Sequence, residues 1–383
     1  MIYDIEGFFM IYMDNAATTW PKPQKLKEAV AEALENAGNP GRGTHQYAVW
    51  SSTKLDEVRR QTAMFFGIQD PLQISFTLNA THALNIAVNL CYGKILTTSM
   101  EHNSVLRPTV TRGYYSIVDA NTEGSIDLEK LKNNITALTG AVIMTHASNV
   151  TGEVYDIARI GEFCRKKGIL FIVDCAQSAG IVPIDVQEMN IDVLCFTGHK
   201  GLFGTQGIGG IFVSPHIKVR PYMSGGTGSH SFLLKQPTEM PDCFETGTVN
   251  THGVAALGAG LDYVTKIGIN KMQEIHTALW KYFSSEARKI KGIKVYGPDA
   301  ENDGSLKLNT GILSLNIDGM DSAEVSAELA ENGICTRAGF HCAPLAHKTL
   351  GTDMCGGTVR FSMNHLNTKK EIDTILNVLR EMN

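Results

Sequence analysis

The sequence predicts an α/β protein, a mostly parallel sheet crossed by helices, followed by a smaller α+β domain. Three observations predict it. The chain has 383 residues, more than one hydrophobic core usually serves. Between about residues 73 and 213, short apolar runs alternate with amphipathic stretches. That is the pattern of strands buried on both faces and joined by crossover helices. Near Asn250 the alternation gives way to a long helical region, then to short strands mixed with helices.

The elements follow in order. Pro23 suits a first helical position, with Leu26, Val30 and Leu34 on one face and Gly38 as a stop. Asn39-Pro40-Gly41 is a turn. A second helix carries Leu55, Val58 and Phe65 and stops at Gly67. Strands are expected at 73–78, 94–98, 114–119, 141–146, 169–174 and 192–197. The stretch 157–167, with Ile160 and Phe163 on one side, is a crossover helix, and 208–213 reads as an antiparallel addition. Residues 254–289 read as a helical connector. Beyond it come strands at 294–296, 312–316 and 359–362 and helices at 322–331 and 369–382.

Composition narrows the function. Thirty-four basic against 39 acidic residues give a net charge of −5, which speaks against phosphate-backbone recognition of nucleic acid. No run of 18 apolar residues and no secretory signal is present, so a cytoplasmic protein without a membrane partner is expected. The eight cysteines contain no C-x-x-C pair and read as reduced thiols. Glycine, 37 of 383 residues, is in excess and marks tight turns.

In open parallel sheets ligands bind beyond the carboxyl ends of the strands, and the polar residues cluster there. Thr77 to His82 closes a strand and opens a helix, placing backbone N–H groups and the Thr81 hydroxyl for an anion. Glu101-His102-Asn103, His146-Ala147-Ser148-Asn149, Asp174-Cys175-Ala176-Gln177 and Thr197-Gly198-His199-Lys200 follow other strands. Singly each has a plain alternative: Asp174 a cap, Thr81 an N-cap, Lys200 a surface cation. Together they meet on one rim. A carboxylate that keeps a pyridine nitrogen protonated and a lysine that forms a Schiff base are the two groups pyridoxal phosphate demands of a protein, and Asp174 and Lys200 supply them.

These motifs, with Tyr12-Met13-Asp14-Asn15-Ala16-Ala17, 244–250, 337–343 and 357–363, resemble the cysteine desulfurase/selenocysteine lyase family. That family lies in the class V aminotransferase group of fold-type I pyridoxal-phosphate enzymes. The likeness runs over nearly the whole chain after about Tyr12. It implies a seven-stranded, mostly parallel sheet in a large cofactor-binding domain (15–255) and a small α+β domain (1–14 plus 256–383). It implies that Lys200 carries pyridoxal 5'-phosphate and moves protons, that His102 stacks on the ring, and that Asp174 pairs with the ring nitrogen. Gln177 would meet the phenolic oxygen. Ala80, through its N–H, with Thr81, Thr197 and His199 would bind the phosphate. Thr248 would be supplied by the partner of a homodimer, and Asn149 and Arg360 would hold the substrate carboxylate.

Cys342 separates the branches. Its setting, Arg337-Ala338-Gly339-Phe340-His341-Cys342-Ala343, resembles the second type of desulfurase, whose motif ends His-Cys-Ala. The resemblance implies that the Cys342 thiolate attacks the substrate sulfur, leaving a persulfide and releasing alanine. The substrate would be L-cysteine or L-selenocysteine, and a sulfur-acceptor protein is the further partner implied, with iron–sulfur cluster biogenesis one pathway served. Arg337 and His341 are placed in sequence to favour the thiolate. Phe340 stands where the family has a His, and residues 1–9 have no family counterpart. A class V aminotransferase, or a selenocysteine lyase without desulfurase activity, is the alternative.

Other readings are weaker. Ala176-Gln177-Ser178-Ala179-Gly180 mimics a nucleophile elbow but runs into Ile181-Val182-Pro183. The glycines at 204, 207, 209 and 210 lack dinucleotide-binding spacing. Cys335, His341, Cys342, His347 and Cys355 lack the paired spacings of zinc, and no metal is expected. A catalytically silent binding module would not need Lys200, Cys342 and Arg360 together.

Overall fold

The computed structural model describes residues 2–3, 9–41, 43–229, 231–299 and 307–382. Strands β1 (Ile2–Tyr3) and β2 (Phe9–Tyr12) pair antiparallel. Helices α1 (Gln24–Asn36) and α2 (Gln46–Phe65) follow. Pro23 is the residue before α1 rather than its first residue, because its ψ of 146° is extended. Leu34 is exposed, contrary to expectation. The buried stripe of α1 runs through Leu26 and Ala33, two turns apart on one face, and Leu34 sits about 100° further round.

The central sheet has seven strands: β3 (Ile74–Thr77), β4 (Lys94–Thr98), β5 (Tyr115–Val118), β6 (Thr139–Thr145), β7 (Leu170–Asp174), β8 (Val193–Thr197) and β9 (Gly209–Val213). Their order is β3-β9-β8-β7-β6-β4-β5. Only β9 runs against its neighbours β3 and β8, so the antiparallel addition expected at 208–213 is present. Strand interiors such as Val142, Ile143, Phe171, Ile172, Leu194 and Phe196 are wholly buried. Crossover helices α3 (Ala80–Leu90), α4 (Asn103–Arg112), α5 (Leu128–Asn133) and α6 (Ile157–Lys167) cover the faces. The α6 boundaries match expectation because Asp156 caps its start and the left-handed Gly168 ends it.

The helical region expected at 254–289 is two helices, α7 (Thr251–Ile267) and α8 (Ile269–Arg288). Gly268, at φ +93°, breaks the backbone between them. The apolar cluster around the central sheet takes in Val254, Leu257 and Leu261 of α7. Leu279, Trp280 and Phe283 of α8 belong to a second cluster. That cluster is built on β10 (Ile293–Tyr296), β11 (Ile312–Ile317) and β14 (Thr358–Ser362), with helices α9 (Ser322–Glu331) and α11 (Lys369–Glu381). Strand β12 (Ile334–Cys335) adds Ile334 to it and β13 (Arg337–Gly339) pairs with β14, whereas helix α10 (Pro344–Leu350) packs Ala346 and Leu350 into the cluster around the central sheet. Ile11 and Met13 join the second cluster because β2 lies parallel to β12. All eight cysteines are free thiols, and Cys91, Cys164 and Cys195 are buried in the cores.

Candidate active site

A cavity of about 290 Å³ opens at the carboxyl ends of the parallel strands and reaches β13 and β14 through Arg337 and Arg360. Eleven of the twelve residues singled out in the sequence line it: Ala80, Thr81, His102, Asn149, Asp174, Gln177, Thr197, His199, Lys200, Cys342 and Arg360. The sheet register brings several of them level. Thr145, just before the His146 loop, pairs with Asp174, and Asp174 pairs with Cys195. The loops after β7 and β8 then meet backbone to backbone, at Gly180 (φ +84°) and Gly201. A Cβ on either would strike the carbonyl of the other loop.

The Lys200 amine is pushed down to about 8 by burial, against the pull of Asp174, with Arg360 and Arg337 adding to the fall. Asp174 is buried; burial raises its pKa, while the N–H of Ala176 at 2.9 Å and the charge of Lys200 oppose the rise. Glu101 lies behind, wholly buried, accepting from the Thr98 hydroxyl at 2.7 Å. Burial pushes its carboxyl up to about 8, so at neutral pH it is mostly protonated.

His102 caps α4. Its Nδ1 accepts from the Ser104 N–H at 3.0 Å, which puts the ring proton on Nε2. Burial, with Lys200 and Arg360 nearby, pushes its pKa down to about 4. A neutral, fixed ring is what a stacking platform requires. Gln177 donates to the Ala16 carbonyl at 3.1 Å, which leaves its second amide hydrogen and its oxygen for a ligand.

The anion end is built on α3. Its N-cap is Asn79, not Thr81: the Asn79 side chain accepts from His82 N–H and its carbonyl from Ala83 N–H. The Thr81 hydroxyl is thereby free to face the cavity, where it meets Ser104 Oγ at 2.7 Å. The N–H groups of Ala80 and Thr81 stand at the positive end of the helix. Thr197 Oγ1 and His199 Nδ1 are buried with no protein partner. Unpaired buried polar atoms at a helix N-terminus fit a phosphate.

Arg360 is buried, donating to the Asn149 carbonyl and to Asp14 Oδ1, both at 3.1 Å, while its Nε has no partner. A guanidinium steered from two sides with free donors remaining suits a carboxylate. The Asn149 amide donates to the His341 carbonyl at 2.7 Å, so one of its two hydrogens holds the cysteine loop.

Cys342 is exposed at the cavity mouth. It and His341 adopt left-handed backbone, at φ +57° and +48°, a conformation held by Asn149 and by Asn103 N–H on the Cys342 carbonyl at 2.7 Å. The expectation that His341 favours the thiolate does not hold. Its ring turns inward to the Thr358 carbonyl at 3.0 Å and is pushed down to about 2 by burial, so it carries no charge. The cations that share the cavity with Cys342 are Lys200, Arg337 and Arg360. Phe340 points outward and meets the His347 ring at 5.5 Å.

Thr248 lies apart from the cavity, in an open groove with Arg59 and Glu245. A bidentate pair holds that segment: Arg59 Nη1 and Nη2 reach Glu245 at 2.7 and 2.9 Å, and Glu245 also accepts from Phe76 N–H at 2.7 Å. Ser178 of the elbow-like stretch is fully buried and bonds to the Cys175 carbonyl, so it is no nucleophile. Among the described residues no three His, Cys, Asp or Glu side chains gather as metal ligands, and no helix is long and apolar enough to cross a membrane. The sequence reading gave no role to Ser104, Asp14 or Ala16. Ser104 carried a signal, two residues after a capping His; the others are placed only by tertiary contacts.

Residues 11–375 match the family model described as aminotransferase class-V. A probable cysteine desulfurase of Methanothermobacter thermautotrophicus is 34% identical over 97% of this chain and 94% of its own length. The apo structure of a cysteine desulfurase from Thermococcus onnurineus superposes with a TM-score of 0.89 at 32% identity, covering 97% of this chain and 94% of that one. An Escherichia coli cysteine desulfurase structure gives 0.86 at 27% identity, over the same shares of the two chains.

Proposed function

The chain belongs to the cysteine desulfurase family of class-V pyridoxal-phosphate enzymes, and from that premise we propose that it removes sulfur from L-cysteine, giving L-alanine and a persulfide on Cys342. One observation carries the reading: a single cavity holds Lys200, Asp174, Arg360 and Cys342. Lys200 is the residue that would bind pyridoxal 5'-phosphate covalently, with the phosphate on Ala80, Thr81, Thr197 and His199, the ring on His102, and Asp174 and Gln177 at its edge. When bound, the cofactor supplies an electron-poor ring that stabilises negative charge on the substrate's carbon skeleton.

The chain's own groups do the rest. Arg360 and Asn149 take the substrate carboxylate. Lys200, pushed down to about 8, exchanges protons near neutral pH. The Cys342 thiolate attacks the substrate sulfur: an S–S bond forms, the C–S bond breaks, and its electron pair stays on carbon, which takes a proton. Thiol plus cysteine thus gives persulfide plus alanine, with no outside oxidant. L-Selenocysteine would react by the same path with a better leaving element. Exposure of Cys342 at the cavity mouth leaves a persulfide open to an acceptor protein, and Thr248 serves the site of a second copy in a homodimer.

The test is incubation of the cofactor-loaded protein with L-cysteine and with L-selenocysteine in the presence of a dithiol, which reduces the persulfide to thiol and sulfide and is itself oxidised to a disulfide, assaying alanine, sulfide and selenide. Alanine and sulfide in equal amounts are expected from cysteine. Cys342→Ser should still show the substrate-induced change in visible absorbance but release no sulfur. Sustained sulfide release by that variant would refute the nucleophile, and amino transfer that needs a keto acid would indicate an aminotransferase.

A further inference from the structure

The segment beginning Asp14-Asn15-Ala16-Ala17 carries no reacting group, yet it touches both halves of the site. Asp14 holds Arg360 Nη2 at 3.1 Å. Ala16 N–H donates to Ser362 Oγ at 2.8 Å, and the Ala16 carbonyl accepts from Gln177 at 3.1 Å. A few residues on, Thr19 N–H donates to the His199 carbonyl at 3.1 Å and Thr19 Oγ1 to the Lys200 carbonyl at 2.8 Å. Lys22 Nζ and Thr18 Oγ1 also donate to the His199 carbonyl, at 2.8 and 3.3 Å.

The Lys200 turn belongs to neither helix nor strand, so its carbonyls lack ladder partners and must find others. The backbone supplies one, Phe203 N–H to the Lys200 carbonyl at 2.8 Å. The other donors named above all come from residues 18–22. Thr19 is 3% exposed, so water would not replace its hydroxyl.

We propose that Thr19 is a positioning residue for Lys200: it pins the backbone under the amine from the same segment whose Asp14 steers Arg360, and so fixes amine and guanidinium in one frame. This rests on the reading of Lys200 as the cofactor lysine. The amine's surroundings depend on that placement. Asp174 faces it from β7, Arg337 from β13, Arg360 from β14 and Cys342 from the loop beyond β13, with the neutral His102 and His199 alongside. Released from its clamp, the amine reaches water and loses both the burial and the neighbouring cations.

The experiment compares the full-length wild type with Thr19→Val, which keeps shape but loses the donor, and Thr19→Ser, which keeps the donor. Without added cofactor, acylation of Lys200 by a small amine-reactive reagent is followed by peptide mass spectrometry across neutral and alkaline pH. The wild-type midpoint is expected at about 8, higher by roughly one unit in Thr19→Val, and restored in Thr19→Ser. With pyridoxal phosphate added, Thr19→Val should bind it roughly five- to tenfold more weakly. Lys22→Met, which removes one of three strap donors to His199, should shift the midpoint the same way by less, and gives a second readout if Thr19→Val folds poorly. A Thr19→Val protein with lowered thermal stability but an unmoved midpoint overturns the proposal. If the wild type binds no cofactor at Lys200, the proposed function fails; the midpoint comparison still decides the positioning.

Discussion

Replacing Lys200 by Met should stabilise the cofactor-free protein. The amine is pushed from 10.5 to about 8 in the fold. At about 1.4 kcal/mol per unit, a shift of roughly 2.5 units is a penalty on the order of 3 kcal/mol for keeping it charged. The sign follows from proton linkage. At pH 7 the lysine is protonated both folded and unfolded, so the fold carries the whole penalty. As pH rises from about 8 towards 10.5, the folded protein gives up the proton first and the unfolded chain binds more; stability therefore climbs with pH across that window. Methionine fills similar space without charge and removes the penalty at pH 7. The expected gain is about 3 kcal/mol, or about 6 °C in melting temperature at roughly 2 °C per kcal/mol for a chain of this size. Urea titration at neutral pH and at several pH values up to 10.5 measures both. A Lys200→Met protein no more stable than wild type at pH 7, or one that keeps the alkaline rise, would show that the fold does not strain this amine.

Glu245→Ala leaves the buried Arg59 guanidinium without its carboxylate and should cost about 3–5 kcal/mol in urea unfolding, while the apolar pair Arg59→Met with Glu245→Leu should recover only part of it, because the Phe76 N–H and the Ile74 carbonyl lose their partners. Arg360→Lys cannot keep the contacts to Asn149 and Asp14 and also present a fork to a carboxylate; KM for L-cysteine should rise roughly 10- to 100-fold with a smaller change in kcat. Phe232 and Leu234 are fully exposed in a single chain within the segment that leads to Thr248, so Phe232→Asp with Leu234→Asp should shift the proposed homodimer towards monomer in sedimentation and weaken cofactor binding. Gly180→Ala adds a Cβ at φ +84° against the Gly201 carbonyl; a loss of at least ~2 kcal/mol, together with weaker binding at Lys200, is expected.

Much of this molecule was written in local pattern. Apolar runs such as 169–174 and 192–197 announced buried strands, because a strand covered on both faces needs apolar side chains throughout. Their polar ends announced the cavity, because ligands gather where parallel strands stop. Lys200, Asp174, His102 and Arg360 were recognised from the motifs they stand in. The same local signals misled at Leu34, where face and burial parted, and at 254–289, where Gly268 turns the chain between two helices.

Direction and long-range partnership were decided only in three dimensions. His341 and Cys342 are neighbours in sequence, yet the imidazole turns inward to Thr358 and the thiol outward to the cavity, a choice made by left-handed backbone pinned from Asn103 and Asn149. Asp14 meets Arg360 across 346 residues, and Thr19 meets Lys200 across 181. Periodicity within one element carries no record of such pairs. They exist because the order β3-β9-β8-β7-β6-β4-β5, and the packing of β2 against β12 and of residues 14–16 on the end of β14, bring distant stretches of backbone within hydrogen-bonding reach.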